Sequence, residues 1–494
     1  MYMKKERQSK QIFTIAIFIL AVFSTFLLGL SQRVSQSAFP NIKITIIVII
    51  ASIIGFFFVR KKTDKTVFFV VALFGLTSAV VTPVLGTPDE QVHFSRSLHI
   101  AHGDINLEND EKKVLVYKDY YEVFDNFKKP IVDTNLLVKK DSDDLVHFKK
   151  GEVDYRQTNA YWFLGYIPQS LGLIIGKSFN FSVGATYILG RIFNALAYAF
   201  LLYVAVKLSG KYKQIFTFFG MIPMNIFLAA SYNQDGVSLG LIYITIAMFL
   251  KMYDQTDKIS LKQILTYTAL CIGIATTKLP YILLICLPTF ITKDKFSKRV
   301  KGFAYFSILF VFTFTLIWFK LYQQVKGVVI IQNVNPTEQL KFMLSHPQKG
   351  LRAVLTEFFS SLYKSDMVFN FGWLDFPIKE LYFYFIVSTI IVSINNVKGK
   401  VFKIWQQISI SMISAGIIGL IVLSMYLTWT PVGESIVQGV QGRYYLGVYL
   451  LLLILLTNLP EKYTFKEKLT DEFVFKISKL GMVMFLVFSL AHYY

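Results

Sequence analysis

Apolar residues run in long blocks separated by short Lys- and Arg-rich stretches, and this alternation predicts an all-α polytopic membrane protein. A helix rises about 1.5 Å per residue, so roughly 20 apolar residues cross a hydrocarbon core of about 30 Å. Blocks near that length lie at 12–30, 42–59, 66–85, 185–206, 214–231, 235–251, 261–276, 279–292, 302–322, 380–396, 405–427, 443–459 and 474–492, which makes about 13 transmembrane helices. The segment 160–177 carries Pro168, Gln169 and several glycines. It is expected to be re-entrant or interfacial, because irregular backbone is tolerated at membrane depth only under cover of protein or water.

The basic connections at 1–10, 60–65, 207–213, 251–262, 293–301, 398–403 and 460–479 can all face the cytoplasm if 160–177 does not cross. The N-terminus is then cytoplasmic and the C-terminus extracytoplasmic. Lys4, Lys5, Arg7 and Lys10 flank a first block too long for an ordinary cleaved signal, so it reads as an uncleaved anchor. Five regions follow: N-terminal transmembrane helices at 1–85, an extracytoplasmic loop with a re-entrant segment at 86–184, a central bundle at 185–322, a second extracytoplasmic loop at 323–379 and C-terminal transmembrane helices at 380–494. Residues 86–158 hold 11 Lys and Arg against 15 Asp and Glu, unlike an inside loop, and Tyr117, Tyr120, Tyr121 and Phe124 among those charges predict a small folded cap.

Composition changes the picture little. The net charge of +20 would suggest nucleic acid in a soluble chain, but here the basic residues bunch between apolar blocks and set orientation instead. No nucleic-acid partner is expected; the bilayer is. Cys271 and Cys286 both fall within apolar runs and read as packing residues.

The densest chemistry follows the third block, in Thr87-Pro88-Asp89-Glu90-Gln91-Val92-His93-Phe94-Ser95-Arg96. It reads as a helix start, with Thr87 as N-cap, Pro88 at the first helical position and Glu90 completing a capping box. At about 100° per residue, Asp89, Glu90, His93 and Arg96 share one face within roughly 120°. A carboxylate there can accept a proton, a neighbouring carboxylate or imidazole can tune it, and Arg96 can hold an anion. A solvated face of ordinary ion pairs would have the same composition. His93, His99 and His102 lie within ten residues, but His99 and His102 point away from His93 and no close-spaced zinc pattern occurs. No cofactor is expected, and a divalent metal stays open. Further charges sit at the same ends of other spans: Arg191, Asp235, Lys278 and Arg443. Arg191 is the most informative, since an ionisable residue within an apolar span usually faces a partner or a watery path. Lys278 and Arg443 could instead snorkel to the interface. Cations at headgroup level suit the phosphate of a lipid carrier.

Pro88-Asp89-Glu90-x-x-His93-Phe94, Pro223 ahead of Ser231-x-Asn233-x-Asp235, Lys278, and Gln441-Gly442-Arg443-Tyr444 together resemble a family of bacterial multipass membrane proteins described only as a domain of unknown function. The resemblance covers most of the chain. More broadly the chain resembles the C-type glycosyltransferase superfamily, whose members use polyprenyl-phosphate sugars and carry an acidic pair in an outer loop after an early helix. Here the pair follows the third block, as two extra N-terminal helices would explain. The resemblance implies Asp89 as catalytic base and Glu90 as its partner in substrate or metal contact. With His93 beside them, these form the catalytic candidates; Arg96, Arg191, Asp235, Lys278 and Arg443 are the substrate-binding ones. The expected function is transfer of a sugar from a polyprenyl-phosphate donor to a cell-wall or surface polysaccharide, outside the bacterial cytoplasmic membrane. A flippase of a lipid-linked saccharide, or a non-catalytic envelope assembly subunit, are the alternatives.

Overall fold

The computed structural model describes residues 2–33, 40–58, 63–105, 113–140, 145–149, 158, 161–325, 333–363, 368–394, 402–457 and 469–494. Parts of both long loops, and the basic connections at 60–62, 398–401 and 460–468, lie outside the described residues. The described helices are α1 (Tyr2–Ser31), α2 (Ile42–Phe57), α3 (Thr63–Val81), α4 (Glu90–Ala101), α5 (Lys118–Asp125), α6 (Ile167–Ser178), α7 (Val183–Leu208), α8 (Lys213–Gly220), α9 (Pro223–Ala229), α10 (Asp235–Asp254), α11 (Leu261–Thr277), α12 (Lys298–Val325), α13 (Pro336–Ser345), α14 (Pro347–Tyr363), α15 (Lys379–Ser393), α16 (Ile404–Thr428), α17 (Leu446–Leu456) and α18 (Asp471–Tyr493). Among the described residues seven helices are long and apolar enough to cross a membrane, within α1, α3, α7, α10, α12, α16 and α18. Shorter apolar helices accompany them.

Burial separates the centre from the lipid side. The apolar window of α10 is 83% buried and that of α18 72%, whereas that of α12 is only 17% buried. A helix apolar all round belongs in a core, and α10 supplies it with Ile242, Tyr243, Ile246 and Phe249. Exposed Leu309, Leu316, Ile317 and Leu321 on α12, and Ile404, Ile408 and Met412 on α16, form the outward apolar surface that a bilayer would wet. At one end of the bundle buried lysines close helix termini. Lys479 Nζ donates to the Phe56 and Phe58 carbonyls beyond α2 at 3.1 and 2.6 Å, and Lys295 Nζ donates to the Tyr253 and Gln255 carbonyls at the end of α10.

Three expected spans are not continuous α-helices; in 443–459 a short 3-10 helix, Gly442–Tyr445, runs into α17. The block 214–231 breaks into α8 and α9, because Pro223 begins a new helix and cannot supply the amide that would continue the old one. The freed carbonyls are met in place: Asn225 Nδ2 donates to Phe219 at 2.9 Å and the Tyr198 hydroxyl to Gly220 at 2.7 Å. The short block 279–292 forms a 3-10 helix over Leu279–Phe290. At about 2 Å per residue its 12 residues reach roughly 24 Å, where an α-helix would reach roughly 18 Å.

The segment 160–177 becomes a short 3-10 turn, Phe163–Tyr166, followed by the 12-residue α6, roughly 18 Å long. α6 lies against α7 through Gly172 and Gly176, a small-xxx-small spacing that lets backbones meet. A Cβ on Gly172 would sit 2.6 Å from the Leu189 carbonyl oxygen and 2.7 Å from Gly190 Cα; one on Gly176 would sit 2.6 Å from Thr186 Oγ1. The expected cap exists in part. α4, α5 and residues 131–137 enclose a second core of Leu85, Phe94, Leu98, Tyr120, Ile131 and Leu136, roofed by an antiparallel pair, β1 (Lys113–Tyr117) with β2 (Leu145–Lys149). The second long loop reaches the first through the hairpin of β3 (Asn370–Phe371) and β4 (Phe376–Pro377), where Trp373 Nε1 donates to the Leu85 carbonyl at 2.9 Å and Lys128 pairs with Asp375 at 2.6 Å.

Because the atoms facing Gly172 are backbone, Gly172→Ala should cost about 1–3 kcal/mol of stability. Gly302→Ala, where nothing lies within 4 Å, should not. Thermal unfolding in detergent compares the two, and equal melting temperatures would refute close α6–α7 packing.

Candidate functional site

The motif after α3 makes a turn before it starts a helix. α3 ends at Val81, Pro83 follows, and α4 begins only at Glu90, with Asp89 as its N-cap in the left-handed region (φ 63°, ψ 11°). Aspartate tolerates that conformation better than most residues, and such strain collects at functional positions. The expected capping box is therefore displaced. Thr87 is not the cap, but the Thr87–Glu90 contact survives: the Thr87 amide and hydroxyl donate to Glu90 Oε2 at 3.2 and 3.1 Å. Since Asp89 lies outside the helix, helical phase does not govern its side chain, and the single expected face divides three ways.

Glu90 turns inward. Arg191 Nε donates to Oε1 and Nη2 to Oε2, both at 2.8 Å, while the Tyr187 hydroxyl and the Tyr232 amide donate to Oε1 at 3.1 and 3.0 Å. Glu90 and Arg191 are 0% and 1% exposed. Arg191 also donates to the Ala79, Thr82 and Pro83 carbonyls at 3.2, 2.7 and 2.7 Å, capping the end of α3. The remaining hydrogens and lone pairs of this pair are taken up by the protein, so neither residue presents a free charge to a ligand. Arg191 does have the partner its place in an apolar span called for.

Asp89 turns outward, to the ends of three other helices. Asp235 stands in the first turn of α10, Lys278 at the end of α11 and Arg443 in the short helix Gly442–Tyr445 ahead of α17. Lys278 Nζ lies 2.7 Å from Asp235 Oδ1; Arg443 Nη2 lies 3.1 Å from Asp89 Oδ2 and its Nη1 3.8 Å from Asp235 Oδ2. Arg443 thus bridges two carboxylates. Exposure distinguishes them: the side chain of Asp89 is 40% exposed, those of Asp235, Lys278 and Arg443 only 6%, 10% and 7%. Lys278 and Arg443 do not snorkel; both flank the ring of Tyr444, at 5.6 and 5.5 Å from its centroid. Among the described residues no group of three or more His, Cys, Asp or Glu is placed to hold a metal.

His93 and Arg96 turn toward the segment ahead of α6. His93 Nδ1 is 2.8 Å from the Tyr166 hydroxyl, and Asp89, Arg443 and Asp235 all act on the imidazole. Burial holds it down to about 4 against the opposing pull of Asp89, so it is neutral at pH 7. Arg96 is 1% exposed and has no carboxylate partner among the described residues. His99 and His102 sit apart, beside Tyr117. Three tyrosines of the site, Tyr166, Tyr187 and Tyr232, escaped sequence reasoning, and Tyr444 entered only within the Gln441–Tyr444 motif. Tyr187, one turn before Arg191 on the same helix face, carried a legible signal; Tyr166 and Tyr232 are placed by turns.

Removing one partner of a buried, hydrogen-bonded ion pair strands the other. Arg191→Met or Glu90→Leu should each lower stability by about 3–5 kcal/mol, and the double variant should recover much of that. Additive losses in thermal unfolding would show the pair is not coupled. For His93, the unfolded chain takes up a proton below pH 6.5 that the folded chain refuses until about pH 4, so stability should fall as pH drops through that window, by about 3 kcal/mol at most. His93→Gln should flatten the fall, and identical pH profiles would assign it elsewhere.

No curated protein and no solved structure matches the chain. One family model does, over residues 68–452, which takes in α4, the ion-paired ends of α10 and α11, and Arg443. The chain belongs to the family described as "Predicted membrane protein (DUF2142)".

Proposed function

We propose that the protein is a membrane glycosyltransferase that moves a sugar from a polyprenyl-phosphate donor to a cell-wall or surface polysaccharide on the outer face of a bacterial cytoplasmic membrane. The observation that carries this reading is Asp89: it is the accessible carboxylate of the cluster, held in a left-handed N-cap by Arg443. In the reaction its carboxylate accepts the proton of an acceptor hydroxyl as that oxygen bonds to the anomeric carbon. The bond from that carbon to the phosphate oxygen breaks, and the lipid phosphate leaves with the electron pair. Arg443, with Asp235 and Lys278 behind it, fixes Asp89 in direction. Glu90 and Arg191 position the turn from within, and neutral His93 with Tyr166 lines the wall. The thirteen-crossing topology, with N-terminus inside and C-terminus outside, belongs to this proposal.

A lipid-borne donor is supported by α14. Leu351, Leu355, Phe359 and Leu362 form an exposed apolar stripe along it, while Glu357 and Ser361 are buried on the other side. The Ser361 hydroxyl lies 2.7 Å from that of Tyr445, two residues beyond Arg443. An amphipathic helix of this kind suits the membrane interface, next to the charges that would meet a headgroup.

Asp89→Asn should lower release of polyprenyl phosphate from a panel of lipid-phosphate sugars by about 10²–10⁴-fold while the protein still inserts and purifies. Near-normal release by the variant removes Asp89 from the mechanism. Movement of donor across a vesicle bilayer, with no release from any donor, would replace the enzyme with a flippase.

A further inference from the structure

The charges around α4 nearly all cancel. Glu90 answers Arg191, Asp89 and Asp235 answer Arg443 and Lys278, and His93 is neutral. Arg96 is the exception. It is among the largest fully buried side chains of the protein, yet its Nε and Nη1 have no hydrogen-bond partner, and no carboxylate of the described residues lies within ion-pairing distance. Burial lowers its pKa only to about 10, so it stays charged at neutral pH. An unpaired buried cation is among the costliest features a fold can keep, and a guanidinium offers a planar set of donors matched to phosphate oxygens.

Its surroundings belong to the same site. Tyr166, whose field acts on Arg96, is the residue bonded to His93, so one tyrosine joins Arg96 to the rest of the site. Other buried polar atoms on the elements that build the site are unpaired as well: the side-chain oxygens of Gln91, Gln169, Gln234 and Gln441, together with Ser95 Oγ and Arg443 Nε. Buried polar groups are normally satisfied, so an unbonded guanidinium face with unpaired acceptors on the same elements suits a ligand that carries both an anion and hydroxyl donors.

We propose that Arg96 is the anion anchor of the site: the phosphate group of a phosphorylated sugar docks on its Nε and Nη1, and sugar hydroxyls donate to the unpaired glutamine oxygens. This rests on the glycosyl-transfer reading only in naming the ligand class, since binding of phosphate can be read without turnover. It also shifts the anion-holding role away from Arg191, whose donors are spent on Glu90 and on carbonyls.

The test is binding to the purified full chain in detergent, followed by thermal shift and titration with three probes: inorganic phosphate, polyprenyl monophosphate and uncharged polyprenol. Arg96→Gln without any probe should be at least as stable as wild type, because an uncompensated buried charge is gone. Polyprenyl monophosphate should raise the wild-type melting temperature and fail to raise that of Arg96→Gln. A matching response to inorganic phosphate identifies the phosphate alone as the ligand; a response confined to the lipid phosphate identifies a headgroup. Equal shifts in wild type and variant, a shift by polyprenol as large as by its phosphate, or no shift in wild type with any probe overturns the proposal. Where Arg96→Gln does not fold, Arg96→Lys decides, since it keeps the charge and loses the planar donor set. It should bind at least tenfold more weakly, and unchanged affinity overturns the proposal. Loss of this binding with transfer intact, or the reverse, separates the anchor from Asp89.

Discussion

Six hydrogen bonds converge on the carboxylate of Glu90, two of them from Arg191, and almost every part of the site is placed through them. The guanidinium closes the end of α3 through three carbonyls, while the carboxylate gathers Thr87 from the turn, Tyr187 from α7 and the Tyr232 amide from the turn ahead of α10. A buried pair of this kind is not a source of stability over an apolar substitute, because desolvation offsets its attraction. What it supplies is direction. Four separate stretches of chain can satisfy these groups in one mutual arrangement, and Asp89 is the neighbour that arrangement leaves facing out.

The second set of charges depends on the first. Tyr232 is followed at once by Asn233, whose side-chain oxygen accepts from the Asp235 amide at 2.9 Å and so opens α10. Asp235 in turn neutralises Lys278 and shares Arg443 with Asp89. The break between α8 and α9 makes this possible, since a continuous helix through Pro223 would carry Ser231–Gln234 past the end of the bundle as another turn of helix. Irregular backbone is kept within the apolar body because Asn225 and Tyr198 answer the carbonyls it frees. The turn at 163–166 is held by the same logic, with α6 laid on α7 by two glycines and Tyr166 presented to His93.

The site therefore has a graded character. Glu90 and Arg191 are fully enclosed, Asp235, Lys278 and Arg443 nearly so, and Asp89 is open. Low dielectric around the inner charges strengthens each contact and fixes the outer carboxylate without consuming it. α14 brings an exposed apolar stripe next to the residues following Arg443, at the charged end of the bundle.

Much of this was legible in the residues. Block length gave the membrane class and most helix positions, because desolvating a backbone leaves helices as the simplest answer and they must match the core thickness. The cost of an ionisable group in an apolar block pointed to Arg191, and the Pro and Gly of 160–177 to irregular backbone there. What the sequence could not determine was who pairs with whom. Glu90 and Arg191 are 101 residues apart and Asp89 and Arg443 354 apart. Adjacent in sequence, Asp89 and Glu90 look equivalent; one left-handed residue sends one to the surface and the other into the core. Helical phase is a local property and fails where the chain leaves the helix, as at Asp89 and Pro223. Partner choice, and the absence of a carboxylate partner for Arg96 among the described residues, arise from packing among distant elements, which only the tertiary structure decides.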